Sequence, residues 1–515
     1  MAALRRFFPC GRVPRRSFLA DMGMGFTGLA LGAMLQRNGF AHDGAAWTPP
    51  DGRPHFAAKA KSVIWLFMIG GVSHLESFDP KPALNRYAGK SIGETPYRSV
   101  LDKSFYDENI RTAVPDLRKV LSQLYPLQIG YRPRGESGIE VSDWWPHVGG
   151  CVDELAVIRS MWTNDIDHGA QLQFHTGRNA LDGYFPTIGS WIHYGLGTLN
   201  ENLPQFVVMG NPVADCCGGH EAHRANYLGP EHDGVPLVAD PANPLAFGRP
   251  PDGVFREEQQ AEFELVDRLN RLVAAEYPDD AQTRARIKSY ELAFRMQRAA
   301  PEVFEFQQET AATQQMYGLD NDVTAPFAKN CLAARRMVQR GVRFVQIYHG
   351  GNGGAGGWDA HGDLLNNHAS NSAQVDKPIA ALVRDLKQRG MLDETLVVWA
   401  TEFGRSPGAE GANGRDHHPF GFSVWMAGGG IKKGVVHGAT DELGFSAWRI
   451  ATTSPTFTPR CSISLVLIRG GWRFPAASGS NWSTATSFAR FWRSAGRNSG
   501  RASGRAKPEN RSSHR

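Results

Sequence analysis

The sequence predicts an α/β protein whose doubly wound, mostly parallel sheet is flanked by helices. Strand-like runs rich in Val, Ile, Phe and Trp recur at 62–69, 205–209, 342–348, 395–401 and 422–427. Patterns with helical periodicity lie between them at 256–276, 282–298, 326–340 and 373–389. Strands that alternate with helices in this way are typical of a doubly wound sheet.

Three of the strand-like runs end in a loop that carries metal-binding residue types. The runs at 62–69 and 342–348 are followed by paired glycines, and the run at 395–401 is followed directly by an acidic residue. In open α/β sheets, ligands bind at the carboxyl ends of strands, where loops converge. Carboxylates and imidazoles delivered there from separate strands indicate a divalent-metal site. The candidate ligands are Asp79, Asp359, His361, Glu402, His417 and His418.

Each candidate ligand also has a structural alternative. Asp359 or His361 alone is compatible with a turn, since Asp favours turns. Glu402 is close enough in sequence to Arg405 to form a buried ion pair. Adjacent histidines point to opposite sides of an extended segment, so His417 and His418 are not expected to bind the same ion.

Charge is distributed unevenly along the 515 residues, of which 41% are hydrophobic. The net charge is +5 over residues 1–42 and +11 over residues 446–515, whereas residues 43–445 carry −11. The body of the chain is therefore acidic, and the overall charge of +5 is no indication of nucleic-acid binding. We expect no nucleic-acid partner.

The first 41 residues have the features of an export signal. Arg15-Arg16-Ser17-Phe18-Leu19 forms a twin-arginine motif, which a weakly apolar, glycine-rich stretch follows at 22–35. The alternative is a chance arginine pair before a surface helix. The stretch is short and rich in glycine, so we expect no stable membrane span. The signal predicts export by the twin-arginine route to the periplasm or beyond.

The last 70 residues, 446–515, have a different composition from the body. They contain thirteen Ser, twelve basic residues and a single acidic one. One interpretation is a disordered basic tail. The other is a shifted reading frame, because GC-rich codons chosen for the segment after Pro455 give, in another frame, a helix-patterned sequence with both charge signs and a stop. Sequencing the DNA across this region tests the hypothesis.

Six segments resemble the domain-of-unknown-function 1501 family, a twin-arginine-exported branch of the alkaline phosphatase and sulfatase superfamily. They are GGVSHLESFDPKP (70–82), DHGAQLQFHTGR (167–178), PTIGSWIHYGLG (186–197), GGWDAHGDL (356–364), TEFGRSP (401–407) and DHHPFGFSVWMAGGGIKKG (416–434). The resemblance implies an alkaline phosphatase-like domain over 42–445. The alternative-frame sequence also resembles this family's usual ending, which carries a histidine.

The resemblance also implies a metal site with one or two ions. Glu402 stands where relatives carry a metal-binding Asp, and Phe403 stands where many carry a metal-binding His. A mixed Asp, Glu and His set suits Zn²⁺ or Mn²⁺, and all-oxygen variants suit Ca²⁺ or Mg²⁺. The identity of the metal stays open.

The nucleophile position lacks the usual residue type. Relatives carry Cys, Ser or Thr about nine residues before a Thr-Gly-Arg, and here that count from Thr176 reaches Asp167 and His168. These two residues are the candidates for activating water, and Arg178 or Arg405 for holding anionic oxygens. If catalysis has been lost, Asp167 instead caps the following helix. Ser73 and Thr163 are substitutes near in sequence only.

The resemblance predicts an exported, metal-dependent hydrolase-like protein that acts on sulfate or phosphate esters, such as those of a sulfated polysaccharide. The alternative is a non-catalytic, metal-stabilised protein of the cell envelope that recognises a glycan or a partner protein. The missing hydroxyl or thiol favours the alternative.

Overall fold

The computed structural model describes residues 59–101, 110–111, 121–212, 218–242, 244–245, 255–276, 287, 291–292, 295–296, 299–351, 354–449 and 452–453. The predicted export signal at 1–41 lies outside the described residues, as does the predicted tail apart from 446–449 and 452–453. The predicted helix at 282–298 also lies largely outside them.

Fifteen strands are described, most of them short. They are β1 (Ser62–Met68), β2 (Tyr131–Arg134), β3 (Ile139–Ser142), β4 (Leu155–Trp162), β5 (Phe206–Met209), β6 (Val235–Pro236), β7 (Phe344–His349), β8 (Thr395–Ala400), β9 (Gly404–Arg405), β10 (His417–His418), β11 (Phe422–Gly428), β12 (Val435–His437), β13 (Ala439–Thr440), β14 (Ala447–Arg449) and β15 (Thr452–Thr453). Each of the five predicted strands is present within two residues of its predicted ends.

Eight α-helices with defined ends are described. They are α1 (Pro82–Arg86), α2 (Pro146–Gly149), α3 (Ala170–Thr176), α4 (Ile188–Leu196), α5 (Arg256–Glu276), α6 (Ala311–Tyr317), α7 (Ala325–Gln339) and α8 (Leu364–Gln388). In the part of the chain that the structure describes, no helix combines the length and the apolar character needed to cross a bilayer.

The central sheet has the strand order β12-β4-β11-β8-β1-β7-β5-β6. From β8 to β6 the neighbouring strands are parallel. Strand β11 is antiparallel to both of its neighbours, while β12 and β15 run parallel to β4. The prediction of an α/β, mostly parallel sheet flanked by helices is therefore confirmed.

Helices cover both faces of the sheet, so the central strands are buried throughout. On one face, Leu66 of β1 belongs to the same apolar cluster as Leu332 of α7 and Ile379 of α8. On the other face, Phe67 belongs to the same cluster as Phe174 of α3. Alternate residues of one strand thus enter opposite cores, which fixes the register of β1 and the level at which its loop begins.

The parallel register brings three strand ends to the same edge. Phe67 of β1 lies opposite Tyr348 of β7 on one side and Ala400 of β8 on the other. The loops that follow these strands therefore leave the sheet side by side. Strand β10 pairs with β9, and this places His417 opposite Arg405 above the same edge.

Candidate metal centre

Asp359 is the focus of the loops at this edge. The backbone N–H of Trp358 donates to Ile69 O at the end of β1, which fixes the approach of the loop that carries Asp359. Oδ1 of Asp359 lies 3.1 Å from Nε2 of His417 and 3.2 Å from Nε2 of His361. Oδ2 lies 3.5 Å from Nε2 of His168. Burial alone would raise the pKa of Asp359, but hydrogen bonds from His168 and His361 and the charge of Arg405 hold it well below the usual range.

His417 presents a lone pair to Asp359. Its Nδ1 lies 2.9 Å from Ile166 O, and a carbonyl oxygen only accepts, so Nδ1 carries the proton. Burial lowers the pKa of His417 to about 3, so its ring is neutral and Nε2 is unprotonated. This nitrogen faces Asp359 and lies 3.1 Å from Nε2 of His361. An unprotonated imidazole nitrogen that faces a carboxylate and a second imidazole has the position expected of a metal ligand.

We call Asp359 and the three imidazoles around it the cluster. His361 lies on the outer side of the cluster, and its side chain is 41% exposed. Its Nδ1 lies 2.5 Å from Oε2 of Glu410 and 3.7 Å from Oδ1 of Asp416. The hydrogen bond to Asp359 raises the pKa of His361. Burial raises the pKa of Asp416, which lies beside Glu410. An imidazole whose Nδ1 is held by a carboxylate has a fixed orientation, and its Nε2 is directed at Asp359.

His168 lies between two carboxylates. Its Nδ1 is 3.1 Å from Oε1 of Glu402, while its Nε2 faces Oδ2 of Asp359. Burial alone would lower the pKa of His168, but hydrogen bonds to Asp359 and Glu402 raise it to about 9. Its backbone N–H donates to Oδ1 of Asp167 at 2.8 Å. Without a cation in the cluster, the ring therefore carries a proton on each nitrogen.

Glu402 is completely buried and accepts hydrogen bonds at both oxygens. Oε1 accepts from the backbone N–H of Gly70 at 2.8 Å, from His168, and from Nε2 of Gln171 at 3.2 Å. Oε2 lies 3.0 Å from the hydroxyl of Thr401. The end of β1, the start of α3 and the end of β8 are thus joined through one carboxylate.

Arg405 lies beneath the cluster and joins its loops. It is fully buried and donates to the carbonyls of Gly70, Gly71, Trp358 and Arg415, as well as to Oδ1 of Asp359 at 2.7 Å. The ring of Phe403 lies 4.3 Å from that of His417. These contacts hold Asp359 and His417 in place.

Asp167 flanks the cluster at a half-buried position. Its carboxylate, a nitrogen of His168 and a nitrogen of His417 lie within 4.8 Å of one another. The backbone N–H of Asp167 donates to Oδ1 of Asp165 at 3.1 Å. Burial raises the pKa of Asp165 to about 7. Asp167 is therefore a carboxylate at the rim of the same group.

The sequence matches one family over most of its length. A family model described as "Protein of unknown function (DUF1501)" covers residues 60–461, more than three quarters of the chain. The chain belongs to the DUF1501 family. The match includes every residue of the cluster around Asp359. No curated protein matches the sequence.

Solved structures similar to this DUF1501 protein share few identical residues with it. Ps i-CgsB in complex with k-i-k-neocarrahexaose is 10% identical, covering 85% of this chain and 77% of that one, with a TM-score of 0.35. A TAB5 alkaline phosphatase mutant with Mg in its M3 site is 10% identical over 79% and 98%, with a TM-score of 0.33. The phosphonate monoester hydrolase SpPMH from Silicibacter pomeroyi is 11% identical over 62% and 68%, with a TM-score of 0.30. At these scores the similarity carries no argument about chemistry.

The structure brings seven of the predicted site residues of the DUF1501 protein into one cluster. They are Asp167, His168, Asp359, His361, Glu402, Arg405 and His417.

The other three predicted residues make their contacts elsewhere. Asp79 pairs with Lys81 at 2.9 Å. His418 donates to Phe445 O, on the side of β10 opposite to His417. Arg178 lies over the ring of Phe185 at 5.5 Å.

The two hydroxyls considered as substitute nucleophiles have structural partners. The hydroxyl of Ser73 donates to Glu76, and the hydroxyl of Thr163 donates to Gln173 at 3.0 Å.

Sequence reasoning missed Glu410, Gln171 and Asp416 as partners of the cluster. Gln171 lies at the start of α3, three residues after His168, and this closeness in sequence offered a signal. Asp416 directly precedes His417. Glu410 lies in a loop without periodicity, and nothing in the sequence around it indicates a contact with His361.

The spacing of the ligand atoms fits a divalent cation. Oδ1 of Asp359 and the Nε2 atoms of His361 and His417 form a nearly equilateral triangle with sides of 3.1 to 3.2 Å. The corners of such a triangle lie about 1.8 Å from its centre, which is compatible with the ~2.0–2.2 Å bonds that nitrogen and oxygen ligands would make to a divalent ion. These three residues could hold a metal ion, and so could the group of Asp167, His168 and His417.

Proposed function

We propose that this DUF1501 protein is an exported, metal-dependent hydrolase-like protein that acts on sulfate or phosphate esters. The observation that carries the proposal is the convergence of three imidazole Nε2 atoms on the carboxylate of Asp359. Imidazole with carboxylate suits Zn²⁺ or Mn²⁺ better than Ca²⁺ or Mg²⁺. The ester substrate, including a sulfated polysaccharide, rests on the sequence resemblance.

The residues of the chain have distinct tasks in this proposal. A divalent cation supplies Lewis acidity and lowers the pKa of water. Asp359, His361 and His417 hold the cation, and Arg405 keeps Asp359 in place through its hydrogen bond at 2.7 Å. Asp167, the half-buried carboxylate beside His168, accepts the proton of the attacking water.

The first test replaces the most exposed imidazole. His361→Ala removes one corner of the triangle at a position where truncation leaves the core intact, since the side chain is 41% exposed. We expect the bound metal, measured by elemental analysis, to fall from near stoichiometric to trace levels after dialysis. Turnover of aryl sulfate or aryl phosphate by the metal-loaded protein is expected to fall at least 100-fold.

The matched control is His147→Ala, because His147 is exposed and lies outside the cluster. This variant is expected to keep both its metal and its turnover. Equal metal content in the two variants would refute the proposed centre.

A non-catalytic binding protein is the second candidate, and the arginines favour it. Arg405 donates to four carbonyls and to Asp359, while Arg178 packs on Phe185, so both guanidinium groups have partners within the protein in place of an anion. Metal that raises the melting temperature without turnover of any aryl ester would favour this candidate. Binding of sulfated and unsulfated glycans to the metal-loaded protein then identifies its ligand class.

Export rests on the arginine pair at the N-terminus alone. Replacing Arg15 and Arg16 by Lys keeps the charge but removes the guanidinium groups of the motif. We expect the unaltered chain in the periplasmic or extracellular fraction and the double variant in the cytoplasm. An unchanged distribution would contradict the twin-arginine route.

A further inference from the structure

We propose that His168 is the third imidazole ligand of the centre and that Glu402 is the residue that positions it. The sequence prediction gave the opposite roles, with Glu402 as a ligand and His168 in catalysis. The inference rests on the proposed metal centre and assigns its ligands. It follows from three geometric observations.

The first observation is that the ring of His168 separates the two carboxylates. Its Nδ1 faces Glu402 at 3.1 Å, and its Nε2 faces Asp359 at 3.5 Å. These nitrogens lie on opposite sides of an imidazole. The imidazole therefore lies between Asp359 and Glu402. An ion bound to Asp359 on this side would contact Nε2 of His168 and would be separated from Glu402 by the ring.

The second observation is that Glu402 already has its hydrogen-bond donors. Three N–H groups converge on Oε1, from Gly70, His168 and Gln171, and the hydroxyl of Thr401 lies beside Oε2. The side chain has no exposed surface. Coordination through Oε1 would displace these donors and leave buried N–H groups unpaired, at about 1–3 kcal/mol each.

The third observation is that the three histidines follow one pattern. The Nδ1 of each ring faces an acceptor outside the cluster: Glu402 for His168, Glu410 for His361, and the carbonyl of Ile166 for His417. The Nε2 of each ring faces Asp359. Acceptors of this kind fix the orientation of metal-binding histidines and raise their basicity. Glu402 has the position of such an acceptor.

Pulsed electron paramagnetic resonance of the Cu²⁺-loaded full chain tests the assignment. Cu²⁺ binds nitrogen ligands tightly, and the remote nitrogen of each bound imidazole gives a signal whose depth counts the rings. We expect three imidazoles in the wild type and two in His168→Ala. Glu402→Gln is expected to keep three, with a change in the signal of one remote nitrogen, since its hydrogen bond to a charged acceptor is lost.

Metal affinity, measured by competition with a chelator, provides a second readout. Glu402→Gln is expected to weaken Cu²⁺ binding by 10- to 100-fold, as for other hydrogen-bond partners of metal ligands, and His168→Ala by more. His147→Ala is the matched control, because it removes an exposed imidazole that lies outside the cluster. This control is expected to keep three imidazoles and an affinity within a few-fold of the wild type.

The possible failures have different meanings. Two imidazoles in the wild type, or an unchanged count in His168→Ala, would overturn the role of His168 and leave the proposed function standing. Loss of an oxygen ligand in Glu402→Gln without any change in the remote nitrogens would make Glu402 a ligand. No specific Cu²⁺ binding by the wild type would overturn the metal centre and, with it, the proposed function. Thermal melting of His168→Gln and of the wild type shows whether the fold is intact, which separates loss of a ligand from loss of the fold.

Discussion

Arg405 shows how one buried side chain organises the cluster. The sequence predicted it to hold the oxygens of an anionic substrate. In the structure its nitrogens donate to the carbonyls that follow β1, to that of Trp358, to that of Arg415 and to Asp359. A planar guanidinium can serve acceptors in several directions at fixed angles, whereas an ammonium group has a single centre. Arg405 therefore positions the loops that carry the ligands.

Arg405→Lys is expected to destabilise the protein although it preserves the charge. The ammonium group cannot reach all these acceptors, so several buried carbonyls lose their donor. We expect the free energy of unfolding in urea to fall by about 2–4 kcal/mol. Arg178→Lys is the control, because Arg178 is half-buried and contacts the ring of Phe185. For Arg178→Lys, the free energy of unfolding should fall by less than about 1 kcal/mol. Equal costs in the two variants would contradict the organising role.

The residue types of the cluster could be predicted, but its internal assignments could not. Asp359, His361, Glu402 and His417 follow strands in the sequence, and that position alone indicated an edge site. The division between ligand and positioning residue depends on which ring nitrogen faces which oxygen. That geometry is set by Gly70, Gln171 and Glu410, which are distant in sequence from the groups they hold.

At the scale of elements, the junction after β1 determines how closely the loops approach. Gly70 has φ +117° and Gly71 has φ +82°, conformations that favour glycine. A Cβ on Gly70 would lie 2.5 Å from the backbone N of Asp359. The loop that carries Asp359 thus packs directly against Gly70, the second residue after β1. A side chain there would push Asp359 away from the imidazoles.

Gly70→Ala is therefore expected to lower both stability and metal affinity. The variant combines a strained φ with a backbone clash, and we expect a loss of about 3 kcal/mol or more in the free energy of unfolding. Gly89→Ala is the matched control, because Gly89 also has a positive φ, +76°, but no atom within 4 Å of the added Cβ. It should cost about 1 kcal/mol and leave metal affinity unchanged. Similar metal affinities in the two variants would argue against this junction as a determinant of the site.

The elements that sequence reasoning missed lack a pattern of their own. Helix α8 begins at Leu364, nine residues before its predicted start, because its first turns are rich in Asn, Ser and His and show no apolar periodicity. Strand β4, Leu155–Trp162, was not predicted, although its run of apolar residues is buried in the sheet. Apolar runs of this length are equally compatible with a helix segment. Of the five strands that sequence alone located, all except β8 are followed within two residues by glycine, and β4 is not.

At the scale of the whole molecule, the composition of the C-terminal tail, residues 446–515, favours a shifted reading frame in that segment. Residues 446–515 carry a net charge of +11, whereas the body carries −11. The family match ends at residue 461, within the tail. We expect DNA sequencing across codons 440–500 to show an inserted or deleted base. A clean frame that encodes the present tail would show that the basic sequence is genuine.

Buried histidines are spread over the whole domain and link its stability to pH. Burial lowers the pKa of seven of them to between about 3 and about 4, namely His74, His175, His193, His223, His349, His417 and His418. An unfolded chain takes up protons at these rings from about pH 6.5 downward. The folded chain takes them up only at lower pH. Stability should therefore fall steeply on acidification below pH 6.5, each ring adding to the slope.

His175 offers the cleanest test because it lies among aromatic rings, outside the cluster around Asp359. Its pKa is lowered to about 4 by burial, so its contribution to stability is present above pH 6.5 and is lost as the pH falls towards 4. Lowering this pKa from 6.5 to about 4 corresponds to roughly 3 kcal/mol in the free energy of unfolding. We expect His175→Phe to lose less stability than the wild type between pH 7 and pH 4.5, by about 2 kcal/mol, in urea titrations at each pH. Phe174→Leu, which removes no titrating group, should differ from the wild type by the same amount at both pH values. A constant difference for His175→Phe as well would show that this ring has an ordinary pKa in the folded protein.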